Sequence, residues 1–334
     1  GNKTYDGTTG ATLSGGTLNG LVGNETLVLS GQSGAFSDQN AGAGKTVTVT
    51  GATLGNGTGL ASNYTVSNAT GVTADINAKA LTVSGVTAGN KTYDGTTAAA
   101  LSGGTLNGLV GSETLVLSGQ TGTFADKNVA AGQTVTVTGA TLANGTGLAS
   151  NYTVSNATGV TADINAKALT VSGVTAGNKT YDGTTTASLS GGILNGLVGN
   201  ETLTLTGQSG VFSDQNAGAG KTVTVTGATL GNGTGLASNY TVSNATGVTA
   251  DISAKALTVS GVTAGNKTYD GTTTASLSGG ILNGLVGNET LTLSGQSGAF
   301  SDQNAGAGKT VTVTGATLGN GTGLASNYTV SNAT

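Results

Sequence analysis

The chain has 334 residues, a formal net charge of −4 and only 8% charged residues, and it contains no histidine, cysteine, methionine, tryptophan or proline. The absence of histidine and cysteine excludes the usual zinc sites, Ser-His-Asp triads, thiol chemistry and disulfides. The weak negative charge argues against nucleic-acid binding, and no apolar run approaches the ~18 residues that a membrane span requires.

Short strands with alternating apolar residues follow one another along the first part of the chain. In chain order they are TLVLS at 26–30, KTVTVT at 45–50, NYTVS at 63–67, GVTADI at 71–76 and ALTVS at 80–84. A period of two is that of a half-buried strand. Turns are predicted at Asn19-Gly20, Ser33-Gly34 and Gly55-Asn56-Gly57, because these residue types favour tight turns. The one segment with helical character is LNGLVGNE at 18–25, as a single turn.

This pattern belongs to an internal repeat. The string GNKTYDGTT recurs every 88 residues, beginning at Gly1, Gly89, Gly177 and Gly265. A solenoid coil has roughly 20–50 residues, whereas an immunoglobulin-type sandwich has about 100. The length of the repeat therefore favours one small domain per repeat.

Three aromatic positions are the same in every copy, represented by Tyr5, Phe36 and Tyr64 in the first. A buried aromatic side chain removes about 150–250 Å² from water. In a chain with only 4% aromatic residues, these positions are the predicted core anchors.

The run KALTVSGVT at 79–87 leads directly into the next GNKTYDG and is interpreted as an opening strand. The predicted units are therefore 1–78, 79–166, 167–254 and 255–334, the first without its opening strand and the last without its closing strand. We expect an all-β fold, a tandem array of small immunoglobulin-like β-sandwich domains. The alternatives are β-grasp-like units that use 18–25 as a short helix, and a continuous parallel β-solenoid.

Two motifs partly match known binding sites. The sequence AGAGKT at Ala41–Thr46 is close to a phosphate loop, but Gln39 replaces the required glycine and a predicted strand follows instead of a helix. Asp75 and Asp94 flank the predicted boundary between units and are candidates for a Ca²⁺ site there; the alternative role for an aspartate before glycine is to cap a turn. We expect no catalytic, cofactor-binding or metal-binding residues and no enzymatic activity.

The string KTYDGTT at Lys3–Thr9, which recurs from Lys91, Lys179 and Lys267, resembles the YDG repeat of large bacterial exoproteins, including filamentous-haemagglutinin-like adhesins. So does the pairing of SNYTVSNATG with ADINAKALTV. The resemblance implies an extracellular or cell-surface location and a part in cell adhesion or biofilm formation. It implies no catalytic residues, and it places the tyrosine in the core and the Asp-Gly pair in a turn. No signal peptide precedes Gly1, so we interpret the chain as an internal segment of a longer protein.

Two functional classes follow. The first is a structural stalk or spacer in a secreted or surface-anchored adhesin, with neighbouring repeats as its partners. The second is a self-associating or weakly ligand-binding array that forms extracellular fibres, in which many weak contacts add up. Because an incomplete unit exposes a sheet edge, other copies of the chain, joined end to end, are expected partners in the second class. The host or matrix ligand is not defined by the sequence.

Overall fold

The structure is a computed structural model that describes residues 1–333; Thr334, the last residue of the fourth predicted unit, lies outside the described residues. Within residues 1–333 the fold is all-β, with short strands, four three-residue 3₁₀ turns and no α-helix. The chain divides into two compact halves, one comprising residues 1–165 and the other beginning at residue 166.

The first half contains seventeen strands. Those of the first repeat are β1 Lys3–Thr4, β2 Gly10–Ala11, β3 Leu27–Ser30, β4 Ser33–Phe36, β5 Gly42–Thr50, β6 Thr53–Asn56 and β7 Thr73–Asn77. Those of the second are β8 Lys79–Ala88, β9 Lys91–Thr92, β10 Ala98–Ala99, β11 Leu101–Asn107, β12 Leu115–Ser118, β13 Thr121–Phe124, β14 Ala130–Thr138, β15 Thr141–Asn144, β16 Tyr152–Val154 and β17 Thr161–Asn165.

The second half repeats this order. The third repeat has β18 Lys167–Ala176, β19 Lys179–Thr180, β20 Thr186–Ala187, β21 Leu189–Asn195, β22 Leu203–Thr206, β23 Ser209–Phe212, β24 Gly218–Thr226, β25 Thr229–Asn232, β26 Tyr240–Val242 and β27 Thr249–Ser253. The fourth has β28 Lys255–Ala264, β29 Thr274–Ala275, β30 Leu277–Asn283, β31 Leu291–Ser294, β32 Ser297–Phe300, β33 Val311–Thr314, β34 Thr317–Asn320 and β35 Tyr328–Val330. The 3₁₀ turns are Ala61–Asn63, Ala149–Asn151, Ala237–Asn239 and Ala325–Asn327.

The second repeat shows the full arrangement, which consists of three small sheets. A five-stranded sheet has the order β10-β13-β14-β17-β9, a three-stranded sheet has the order β11-β8-β16, and β12 pairs with β15. The third repeat contains the same three sheets. In the first repeat the five-stranded sheet and the β3-β6 pair are formed without a three-stranded sheet, and in the fourth the five-stranded sheet is reduced to β29-β32-β33.

The strands predicted from alternation are confirmed at 26–30, 45–50, 71–76 and 80–84, whereas the predicted strand at 63–67 is absent from the first repeat. In β5, Val47 and Val49 are buried while Thr46, Thr48 and Thr50 face solvent. In β3, Leu27 and Leu29 are half-buried and Val28 is 55% exposed. Of the three predicted aromatic anchors of the first repeat, Tyr5 and Phe36 are buried and Tyr64 is only half-buried. β-Branched residues with one buried face suit a pleated sheet, so the period of two located these strands correctly.

Several local predictions are wrong. Ser33-Gly34 lies inside β4 and is not a turn, and of the predicted turn Gly55-Asn56-Gly57 the first two residues lie in β6, so that the chain bends only from Gly57 onward. The chain turns instead at Gly31 and Gly51, both with positive φ. Residues 18–25 form no helix, only a turn closed by the bond from the Glu25 N–H to the Val22 carbonyl (3.2 Å).

The missing helix removes the basis for β-grasp-like units. The separate five-, three- and two-stranded sheets, with mostly antiparallel pairing, also differ from a continuous parallel solenoid.

The core of the first half is shared by two repeats. Its buried cluster contains Tyr5, Phe36, Val47 and Ile76 of the first repeat together with Leu81 and Tyr152 of the second. Half-buried residues of the second repeat, including Leu106, Leu109 and Val110, pack against it. Two repeats thus remove apolar surface from water jointly, which is the main favourable term in folding. The boundary between the two repeats is therefore the candidate functional site.

Candidate functional site at the junction between repeats

A single glutamate joins the first and second repeats. The Tyr5 hydroxyl donates to Glu113 Oε1 and the Tyr152 hydroxyl donates to Glu113 Oε2, each at 2.5 Å. The two tyrosine rings meet edge to face, with centroids 5.3 Å apart and planes inclined by 77°. Hydrogen bonds to a carboxylate are stronger than neutral ones, and edge-to-face rings add to them. We call Tyr5, Glu113 and Tyr152 the Tyr–Glu–Tyr joint.

Backbone structure places all three side chains. The Tyr5 N–H donates to the Asn77 carbonyl (2.8 Å), so the closing strand β7 fixes the residue that follows β1. The Glu113 N–H donates to the Val110 carbonyl (3.1 Å) and closes a turn. The Val110 N–H donates to the Tyr152 hydroxyl (3.0 Å) at the start of β16. The joint is therefore set by sheet and turn geometry in both repeats.

A buried asparagine forms a second contact across the same boundary. Asn151 is only 1% exposed. Its Oδ1 accepts from the Ala41 N–H (2.8 Å) and its Nδ2 donates to Asn40 Oδ1 (3.1 Å), both in the first repeat. A buried amide without partners would cost about 1–3 kcal/mol. Asn151 therefore fixes the register of the two repeats as well as their contact.

The Tyr-Asp-Gly turn supplies the first repeat's side of the joint. Asp6 accepts from Lys3 Nζ (2.7 Å) and from the Thr8 N–H (2.9 Å), which holds the pKa of its carboxyl down at about 2. Gly7 has φ of +77°, and a Cβ there would lie 3.1 Å from Val110 Cγ1 of the second repeat. Only glycine adopts this conformation without strain. Tyr5 thus reaches into the neighbouring repeat, Asp6 holds the turn, and Gly7 allows the close approach of the two repeats. We call Tyr5 and its counterparts in the other repeats the plug.

The second half contains an independent example of the same joint. Tyr181 and Tyr328 donate to Glu289 Oε1 and Oε2, each at 2.5 Å, and their rings lie 5.3 Å apart at 78°. Asn327 is 1% exposed and accepts from the Ala217 N–H (2.8 Å). Because the third and fourth repeats meet through the same atoms as the first and second, the joint is a property of the repeat.

The environment of the joint keeps the tyrosines protonated. Burial, followed by the hydrogen bond to Glu113, raises the pKa of Tyr152 to about 12. Burial and the bond to Glu289 likewise raise the pKa of Tyr181 to about 12. Both effects disfavour a tyrosinate beside a carboxylate. The joint therefore consists of neutral hydroxyl donors and an anionic acceptor. This arrangement holds the surfaces of two repeats together.

The first and the fourth repeats each carry one side of such a joint without the other. In the first repeat Tyr64 donates to Glu25 Oε2 (2.5 Å), as Tyr152 does to Glu113. Here, however, Asn63 is exposed and Val22 is 70% exposed. In the fourth repeat Tyr269 is 62% exposed, whereas its counterpart Tyr5 is 2% exposed. We call Val22, Glu25, Asn63 and Tyr64 the socket.

The candidates proposed from sequence lie elsewhere. Asp75 accepts from Asn2 Nδ2 (3.0 Å) and from the Gly44 N–H (2.8 Å), and Asp94 pairs with Lys91 (2.8 Å). Neither belongs to a group of three acidic side chains that could hold a metal, and residues 1–333 contain no such group. Most of the AGAGKT segment lies in β5. In the described chain, no helix has the length and apolar character needed to cross a membrane.

The sequence alone did not identify the glutamate of the joint or the asparagine of the second contact. One signal was available, because each copy has a single glutamate and it stands at the same position: Glu25, Glu113, Glu201 and Glu289. In a chain with so few charges, a fixed carboxylate among variable polar positions marks a residue with a specific partner.

Comparison with known protein families identifies the repeat. The model of the YDG domain matches residues 1–71, 77–159, 165–247 and 253–334. No curated protein and no solved structure matches the chain. The family match covers nearly the whole sequence and includes the Tyr-Asp-Gly turn that forms one side of each joint. The chain therefore belongs to the YDG-domain family and carries four copies of the domain in tandem.

Proposed function

We propose that the chain is a non-enzymatic structural spacer, in which tandem YDG domains give a secreted or surface-anchored bacterial adhesin its reach. The observation that carries this proposal is the Tyr–Glu–Tyr joint, formed in the same way in both halves. The most specific buried polar contacts of the repeat are made to a neighbouring repeat. Stability in such an array is a sum of unit and neighbour terms, and the joint supplies the neighbour term.

We further propose that the five-stranded sheet of one repeat and the three-stranded sheet of the next stack as a small immunoglobulin-like β-sandwich. The buried Leu81 of the three-stranded sheet belongs to the same core as Phe36 and Val47 of the preceding five-stranded sheet. This packing supports a sheet-on-sheet arrangement that continues from one repeat into the next. Such an arrangement gives a spacer without flexible linkers.

Small-angle scattering over a concentration series tests the spacer. The expected result is an elongated particle with the cross-section of one repeat and a length that accommodates four. A compact particle would contradict the proposal. The variant Glu113→Ala, which removes one joint, should broaden the distribution of lengths without changing the cross-section.

The proposed extracellular location is tested on intact cells that express the parent protein. If the repeats are displayed outside, antibodies raised against this chain bind unpermeabilised cells, and added trypsin removes the epitope. Epitopes that become accessible only after lysis would contradict the surface location. The support for this location is the family membership together with a low-charge, Gly- and Thr-rich composition.

The exposure of Val22 in the socket and of Tyr269 in the fourth repeat favours a second candidate function, head-to-tail association of copies into fibres. The socket of the first repeat already has the bonds from Tyr64 to Glu25 and from the Val22 N–H to Tyr64 (3.1 Å) that the internal joint shows. Tyr269 of a second copy carries the side chain that such a socket accepts within the chain. Association would reproduce a contact that the protein already makes twice.

Two variants separate this mode from nonspecific strand pairing. Glu25→Ala removes the socket and Tyr269→Ala removes the plug, so each variant alone should stay monomeric in sedimentation experiments. Their equimolar mixture should form dimers and nothing larger, because only one functional pairing remains. A wild-type chain that is monomeric at all concentrations, or variants that associate like the wild type, would eliminate this candidate.

A further inference from the structure

The first two strands of each complete repeat pair in parallel with its last two strands. In the second repeat the opening strand β8 pairs in parallel with β16, with Lys79, Ala80 and Leu81 opposite Tyr152, Thr153 and Val154. The next strand, β9, pairs in parallel with the closing strand β17. In the third repeat β18–β26 and β19–β27 repeat both pairings. We call these two pairings the terminal clamp.

This topology determines how the repeat responds to tension along the chain. A pull toward the N-terminus acts on the start of β8, and a pull toward the C-terminus acts on the end of β17. Parallel partners pulled in these opposite directions slide along each other, so that all hydrogen bonds of the pairing are loaded at once. Antiparallel partners of a hairpin pulled at one end would instead separate one bond at a time.

The connections between repeats are too short to extend before the strands bear the load. The closing strand β7 ends at Asn77 and β8 begins at Lys79, so only Ala78 lies between sheets of successive repeats. In the second half β27 ends at Ser253 and β28 begins at Lys255. Tyr152, the first residue of the clamp strand β16, is also a member of the joint. Load that crosses a boundary therefore enters the clamp directly.

We propose that the YDG domains of this chain are force-bearing modules, in which the terminal clamp resists extension and the Tyr–Glu–Tyr joint passes load to the neighbouring repeat. The inference deepens the proposed spacer function, since a tethered adhesin transmits tension through its spacer. It can fail independently of that function, because an elongated particle with mechanically weak repeats would satisfy the scattering experiment.

Single-molecule extension of the full chain at constant force tests the clamp. Forced unfolding is governed by the rate of crossing the unfolding barrier. The variant Thr153→Pro removes a backbone donor from β16, where Thr153 is exposed and makes no core contact. It should unfold the second repeat about tenfold faster or more under force, the effect of one to two net backbone hydrogen bonds.

The chain provides a matched control for this variant. Thr65 occupies the same NYTVSN sequence in the first repeat, where residues 64–66 form no strand. Thr65→Pro should leave the forced unfolding of the second and third repeats unchanged. Equal effects of the two substitutions on the second repeat would overturn the proposal.

A second measurement changes the direction of the load without disturbing the clamp. The chain has no cysteine, so handles can be attached at an introduced pair, Val116→Cys and Ala143→Cys, which lie opposite each other in the antiparallel pair β12–β15. Pulling across this pair should open the second repeat at a lower force than pulling through the chain ends. An equal or higher force across the strands would contradict the clamp even if Thr153→Pro failed to fold.

Discussion

At the scale of single residues, several of the few charged side chains in this chain make specific hydrogen bonds. Glu113 accepts from Tyr5 and Tyr152, and Asp6 accepts from Lys3. Both carboxylates thus have defined partners. Lys45 shows the same rule, because it bonds to Asp38 at 2.6 Å and is only 13% exposed in its side chain.

The same loop carries its lysine elsewhere in the second repeat, where Gln133 stands at the position of Lys45 and Lys127 at that of Gln39. In the second repeat the replacement residue Gln133 donates to the Asn128 carbonyl (2.6 Å) and accepts from the Asp126 N–H (3.2 Å). The exchange of lysine for glutamine keeps the loop closed through different bonds. A comparison of residue types alone could not distinguish this from free variation.

Alkaline pH should weaken the joint. The pKa values of Tyr152 and Tyr181 are raised from 10.0 to about 12 in the folded protein. A group with a raised folded pKa contributes stability that is complete below its unfolded pKa and is lost as pH rises through the folded value. The stability of the chain should therefore fall between pH 10 and about 12.

Thermal unfolding across this pH range measures the effect. Tyr152→Phe should be less stable than the wild type at neutral pH and should show a smaller loss between pH 10 and about 12. A variant with the same pH dependence as the wild type would show that the alkaline loss arises elsewhere.

At the scale of elements, two glycines allow the chain to cross between the β12–β15 pair and the five-stranded sheet of the second repeat. Gly119 connects β12 to β13 and Gly139 connects β14 to β15, with φ of +76° and +78°. A Cβ on Gly119 would lie 2.5 Å from the Gly139 carbonyl oxygen, which is closer than real contacts allow. The two glycines therefore permit both a left-handed backbone and a close crossing.

Substitution of Gly119 by alanine should be costly. Strain in a left-handed conformation costs about 1–3 kcal/mol, and the contact with the Gly139 carbonyl adds to it. The matched control is Gly10→Ala, where φ is not positive, nothing lies within 4 Å of the added Cβ, and the second repeat already has Ala98. Chemical denaturation should show a clear loss for Gly119→Ala and a change within about 0.5 kcal/mol for Gly10→Ala.

Strand positions could be predicted from the sequence because they depend on local alternation, as in residues 45–50. The turns could not, because Ser33-Gly34 and Gly55-Asn56 have turn-favouring residues but pair with strands whose positions depend on the whole fold. The segment NYTVS also forms a strand only where an opening strand lies beside it, as β16 does beside β8. The joint escaped prediction for a related reason: Tyr5 and Glu113 are 108 residues apart.

At the scale of the whole molecule, the four nearly identical repeats differ in completeness. The third repeat has a five-stranded sheet in which β24 pairs with β27, whereas the corresponding sheet of the fourth has only three strands. Apolar positions follow this difference. Phe212 is buried at 2% exposure, while its counterpart Phe300 is half-buried. Regions with fewer buried contacts open more readily.

Limited proteolysis should reveal this difference at two equivalent lysines. Lys221 lies in β24, opposite Ala250 of β27, and Lys309 has the same neighbouring sequence but lies outside any strand. Both form an ion pair with an aspartate, Asp214 and Asp302 respectively. Trypsin should therefore cleave after Lys309 well before Lys221. Similar cleavage rates at the two sites would show that the missing pairing does not affect local opening.

The central claim is that the joint couples neighbouring repeats. Native-state hydrogen exchange of two glutamine variants tests this coupling most directly. Glu113 holds tyrosines of the first and second repeats, whereas Glu25 holds only Tyr64 of its own repeat. Glu113→Gln should lower amide protection in β5 of the first repeat as well as in β8 of the second, and Glu25→Gln should leave β8 unchanged. If the loss of protection caused by Glu113→Gln were confined to the second repeat, the joint would not couple the two domains.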